Sequence, residues 1–125
     1  MAELTNQLGR YHMWVDPKAK VLHIDLFGFF GVDEAEQFFV EYEKNADSLN
    51  KDEYSIVIDC HGLSTFKPDL LPYLRDAYQA YAEFKSVGFI NPQNPIGQMQ
   101  LKRVARETNM RDKFQFVDDP GKLQL

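Results

Sequence analysis

The period of apolar and polar positions changes several times along this chain, and each change marks a predicted element. Tyr11-His12-Met13-Trp14-Val15 is rich in aromatic and β-forming residues and predicts a strand. Asp16-Pro17-Lys18-Ala19 reads as a turn, because Pro pre-sets φ and Asp can bond its own backbone. From Lys20 to Phe30 a strand resumes, with Leu22, Ile24 and Leu26 on one face and His23 and Asp25 on the other. The two strands predict a β-hairpin. Helical spacing then takes over at Ala35, Phe38, Phe39, Tyr42, Ala46 and Leu49. Asp33 is the expected cap of this helix, with Glu36 completing a capping box.

After a polar break at Asn50–Glu53, Tyr54–Cys60 forms a short, nearly continuous apolar run. Such runs suit a central strand covered on both faces. His61–Phe66 is expected as the loop behind it. Asp69 is the expected cap of a second helix, with Pro72 at its third position, where no amide is needed. Its buried stripe is Leu70, Leu71, Leu74, Ala77, Tyr78, Tyr81 and Phe84. Ser86–Ile90 predicts another strand, Asn91–Pro95 a stiff polar turn, Ile96–Asn109 a third helix and Phe114–Val117 a last strand. Residues 1–10 read as a flexible N-terminus, 11–117 as one α/β domain, and 118–125 as an irregular tail around Pro120-Gly121. The order β-β-α-β-α-β-α-β implies a mixed, mainly parallel sheet with an N-terminal hairpin and flanking helices.

Composition narrows the function more than the fold. The chain has 125 residues, a 44% apolar share and a formal net charge of -5. That length suits one domain, and the acidic balance argues against nucleic-acid binding. A single cysteine, Cys60, excludes an internal disulfide and fits a reducing compartment. Met1–Arg10 lacks the apolar core of a signal peptide, and no apolar run is long enough to span a membrane. A cytoplasmic protein is expected.

The order of elements from Tyr11 to Val117 resembles the STAS domain, the SpoIIAA-like fold of bacterial anti-sigma-factor antagonists. The local match is Val57-Ile58-Asp59-Cys60-His61-Gly62-Leu63-Ser64-Thr65-Phe66, similar to the strand and loop that precede the family's signature. The family then carries Asp-Ser-Ser-Gly or Asp-Ser-Thr-Gly, one hydroxyl of which a partner anti-sigma kinase phosphorylates. Lys67-Pro68-Asp69-Leu70 stands there instead, without hydroxyl or glycine. The resemblance therefore implies a regulatory protein-binding module that does not depend on phosphorylation at the usual position. Ser64 and Thr65 are expected to bond mainly backbone.

Residues with chemical potential are few. Asp59, Cys60 and His61 are adjacent, but neighbours on a strand point to opposite faces, so no nucleophile–base pair is expected. His12 and His23 would face each other if the turn centres on Pro17-Lys18, yet two histidines make a poor metal site. The abundant aromatics, such as Phe29, Phe38, Tyr73 and Tyr81, read as core before they read as a ligand pocket. Gly28 and Gly31 flank Phe29-Phe30 and make no phosphate loop. Lys102, Arg103 and Arg106 form a local basic face, read equally as a solvated helix surface or as a docking patch for an acidic partner.

In parallel sheets, functional loops gather at the carboxyl ends of the strands. The candidate binding residues there are Ser64, Thr65, Lys67, Asp69, Asn91 and Gln93, joined by the basic face Lys102, Arg103 and Arg106. The expected function is non-enzymatic protein binding, with no cofactor and no metal. The alternative is a carrier or sensor of a small apolar or anionic ligand in the strand-end crevice. A large empty apolar cavity would favour that alternative.

Overall fold

The computed structural model describes residues 9–125. The flexible start expected for residues 1–10 therefore lies almost wholly outside the described residues. Strands β1 (Arg10–Asp16), β2 (Val21–Gly28), β3 (Ser55–Leu63), β4 (Val87–Ile90) and β5 (Phe114–Val117) form one sheet in that spatial order. Helices α1 (Val32–Ala46), α2 (Leu71–Tyr81) and α3 (Pro95–Glu107) connect the parallel strands. The β1–β2 pair is antiparallel and all other pairs are parallel, as the element order predicts.

The hairpin register corrects one expectation. Asp16 Oδ1 accepts from the amides of Lys18 and Ala19, and Lys20 adopts a left-handed φ of 57°. The connection thus uses four residues, Pro17 to Lys20, and Asp16 pairs with Val21. His12 stands opposite Asp25, and Trp14 opposite His23. The two histidines do not face each other. Trp14 stacks on His23 at 4.7 Å, and the His12 ring packs 4.9 Å from Trp14.

Helix starts also differ from the expected caps. Helix α1 begins at Val32 behind an extended Gly31, whose amide donates to Glu34 Oε1 at 2.7 Å. Asp33 is therefore already inside the first turn, where its charge suits the helix dipole. Asp69 likewise does not cap α2. It lies in a 3-10 turn, Pro68–Leu70, that leads into the helix, and no side chain among the described residues caps either segment. Helix α3 does have a side-chain cap: Asn94 Oδ1 accepts from the amides of Ile96 and Gly97 at 2.8 and 3.4 Å.

The main core lies between the sheet and the three helices. Leu22, Ile24, Ile56, Ile58, Val87 and Phe89 meet Phe38, Tyr42, Tyr78, Leu101 and Val104 there. Tyr78 is fully buried and donates its hydroxyl to the Leu101 carbonyl at 2.8 Å, tying α2 to α3. The opposite sheet face carries a smaller cluster, Val21, Val57 and Ile90, packed with Val117 and Leu123 and with no helical residue. This explains the continuous apolar run in β3: both faces are covered, one by helices and one by the C-terminal tail. That tail, expected to be irregular, forms a 3-10 turn at Pro120–Lys122 and lays Leu123 against Gly88.

Candidate functional site

The carboxyl ends of β2, β3 and β4 open into a polar crevice of about 430 Å³. Arg10, Phe27, Phe29, His61, Ser64 and Gln93 are among its walls. Two features of β3 shape it. The strand runs on through His61, Gly62 and Leu63, which were expected to be loop, and its register against β2 shifts between Asp25 and Phe27. The shift sets Phe27 beside Gly62, where any Cβ would come within 2.8 Å of the Phe27 ring. Glycine here leaves room for the aromatic ring beside the strand.

The loops at this end are fastened to one another. Gln100, projecting from α3, holds the Phe66 backbone at both its amide and its carbonyl, each at 2.9 Å. The Gln93 side chain contacts His61 Nε2 at 2.6 Å. Gln98 donates to the Pro92 carbonyl at 2.8 Å, and the Ser64 amide to the Gly28 carbonyl at 2.9 Å. A loop cross-linked in this way is already ordered, so a partner that binds it loses less conformational entropy.

The sequence-derived candidates do not share one environment. Ser64 and Gln93 line the crevice. Lys67 is exposed, with its ammonium 5.5 Å from the centre of the Phe29 ring, and Asp69 is exposed on the adjoining 3-10 turn. Asn91 is buried instead: its amide group donates to Asp118 at 2.9 Å, and its Oδ1 has no partner among the described residues. The hydroxyls of Ser64 and Thr65 make no hydrogen bond among the described residues, contrary to the backbone bonds expected of them. Lys102, Arg103 and Arg106 stand exposed on α3, which adjoins the crevice through Asn94.

Sequence reasoning missed Arg10, Gln100 and two exposed apolar residues at the start of α3. Ile96 and Met99 leave 59% and 69% of their surface in solvent. Their spacing of three residues, continued to Lys102 and Arg106, was the signal that would have found them.

Cys60 is wholly buried behind this edge, while Asp59 and His61 face the other side of the sheet. Burial, and then the Asp59 carboxylate, push the Cys60 thiol far above its ordinary pKa. No group of three or more His, Cys, Asp or Glu side chains among the described residues could hold a metal ion. The aromatic cluster closes into core, leaving a narrow apolar cleft of about 60 Å³ between α1, α2 and the sheet. No described helix is long and apolar enough to cross a membrane.

No known family's sequence model matches the chain, and no curated protein matches it. Its structure is similar to that of an uncharacterized protein of the DUF3478 family with a SpoIIAA-like fold from Shewanella loihica PV-4. The match has a TM-score of 0.65 at 17% identity and covers 90% of this chain and 88% of that one. The mixed sheet and its three helices are thus of the SpoIIAA-like kind.

Proposed function

We propose that this domain is a non-enzymatic, STAS-like regulatory module that binds another protein through the strand-end loops and the adjoining face of α3. The observation that carries the reading is the set of side-chain bonds fastening these exposed loops together, above all the paired bonds from Gln100 to the Phe66 backbone. The binding is independent of phosphorylation at the usual position, where Lys67-Pro68-Asp69-Leu70 offers no hydroxyl and Asp69 supplies a fixed charge. The small volume of the apolar cleft speaks against an apolar-ligand carrier, since ligand pockets run to roughly 300–1,000 Å³. The polar crevice is within that range, and Arg10 and His61 on its walls favour a small anionic ligand as the second reading.

Affinity purification from the native cell, with native mass spectrometry, separates the readings. The wild-type chain should carry a protein partner that the Lys67→Glu/Gln93→Ala variant loses. A bound small-molecule anion without any protein would support the second reading, and neither species would sink both. Intact mass adds one check: a stoichiometric phosphate on Ser64 or Thr65 would overturn the phosphorylation-independent part.

A further inference from the structure

The outer face of α3 combines two features on one helix surface. Gly97, Leu101, Val104 and Ala105 are the buried stripe of this helix. Residues advance by about 100° each around a helix, so Met99, Arg103 and Arg106 share the side opposite that stripe. Ile96 and Lys102 flank them. Single exposed apolar side chains are ordinary, but Ile96 and Met99 are neighbours one turn apart. Cations follow them directly. Lys102 and Arg106 have no ion-pair partner among the described residues, whereas Arg103 shares Glu107 with Arg75, each at 3.3 Å. The surface therefore reads apolar, then basic, along about 15 Å of helix. It does so in a chain with 19 acidic and 14 basic residues.

We propose that this face of α3 docks an acidic, amphipathic segment of a protein partner. Apolar side chains of that segment cover Ile96 and Met99, and its carboxylates lie over Lys102, Arg103 and Arg106. Charge complementarity selects the occupant: three clustered cations on a protein of net charge -5 attract a short acidic stretch. They are too few for a nucleic-acid surface. The proposal rests on the protein-binding reading above and names the chemistry of the partner.

Photo-crosslinking in the native cell tests it, using full-length protein with benzoylphenylalanine in place of Met99 or, separately, of Gln93. The expected result is a crosslink from position 99 to a protein segment with net negative charge and spaced apolar residues. Arg103→Glu/Arg106→Glu in the same protein should cut that crosslink about tenfold, as should high salt when the crosslinking is repeated in a cell lysate. Arg103→Lys/Arg106→Lys should retain most of it. Circular dichroism of each variant checks that these exposed positions leave the fold intact. Crosslinks from position 93 alone would overturn the α3 proposal and leave the protein-binding reading standing. Crosslinks from neither position would overturn both. Flotation with phosphatidylglycerol vesicles gives the last arm: binding abolished by the double Glu variant, without a protein crosslink at 99, would make the occupant a membrane surface and refute the proposal.

Discussion

Replacing Ile58 with Ala tests the layout of the whole domain. Ile58 sits in the middle of the central strand, opposite Ile24 on β2 and Phe89 on β4, and is completely buried. It also lines the apolar cleft between α1, α2 and the sheet. The substitution removes three carbons, which at ~0.8 kcal/mol per buried methylene costs about 2.4 kcal/mol in transfer energy. The vacated space, on the order of 75 Å³, adds up to ~1.8 kcal/mol at about 24 cal/mol per Å³ if the walls hold. Partial collapse reduces the second contribution, so the expected loss is about 2.5–4 kcal/mol. Urea unfolding followed by circular dichroism measures it, with an unchanged slope expected because the same surface is exposed. The void should merge with the existing cleft of about 60 Å³. The enlarged space approaches the size of apolar cavities that take up xenon or benzene, so xenon should partly restore the unfolding midpoint. A loss below about 0.5 kcal/mol would place Ile58 at the surface and refute the reasoning.

Asn94→Ala should cost about 1 kcal/mol through loss of the α3 cap, whereas Asp69→Ala should stay within roughly 0.5 kcal/mol because Asp69 caps nothing. Thermal melts of the two variants side by side decide this, and equal losses would mean that the two helix starts are misread. Cys60 should react slowly with a neutral disulfide reagent at neutral pH, since its thiol is buried and its pKa raised; rapid stoichiometric labelling of folded protein would contradict its position. Asp25 carries a pH signature: burial first, then the Asp59 carboxylate beside it, raise its pKa, while His12 and His23 pull it back. Because the folded value is the higher one, its contribution is full below the ordinary carboxylate value near ~4 and is lost as pH rises through the folded value. The urea midpoint of the wild type should therefore fall relative to Asp25→Asn over that window, and a constant difference between the two would count against the raised Asp25 pKa.

The elements most legible in the sequence are those whose signal is local and unopposed. The strand Phe114–Val117 and the turn chemistry of Asp16 needed no tertiary information. Register and caps needed more. The hairpin moved by two residues because Lys20 takes a left-handed conformation, which nothing in its side chain announces. Since the shift is even, every side chain kept its predicted face, and only the cross-strand partners changed. At α1, Asp33 with Glu36 was the expected capping box, but the chain enters the helix two residues earlier, where Glu34 reaches back to the Gly31 amide. At α2, Pro68 tightened the entry into a 3-10 turn and displaced Asp69 from the capping position. The strand-end location of the candidate site followed from element order alone, but Gln100 did not, because its role depends on the distance between α3 and the loop after β3. The misplaced cap has a consequence for the site. A capping carboxylate is spent on backbone amides, whereas the Asp69 carboxylate stands exposed two residues from Lys67, at the edge of the fastened loops. In the proposed protein-binding reading, its charge is available to a partner.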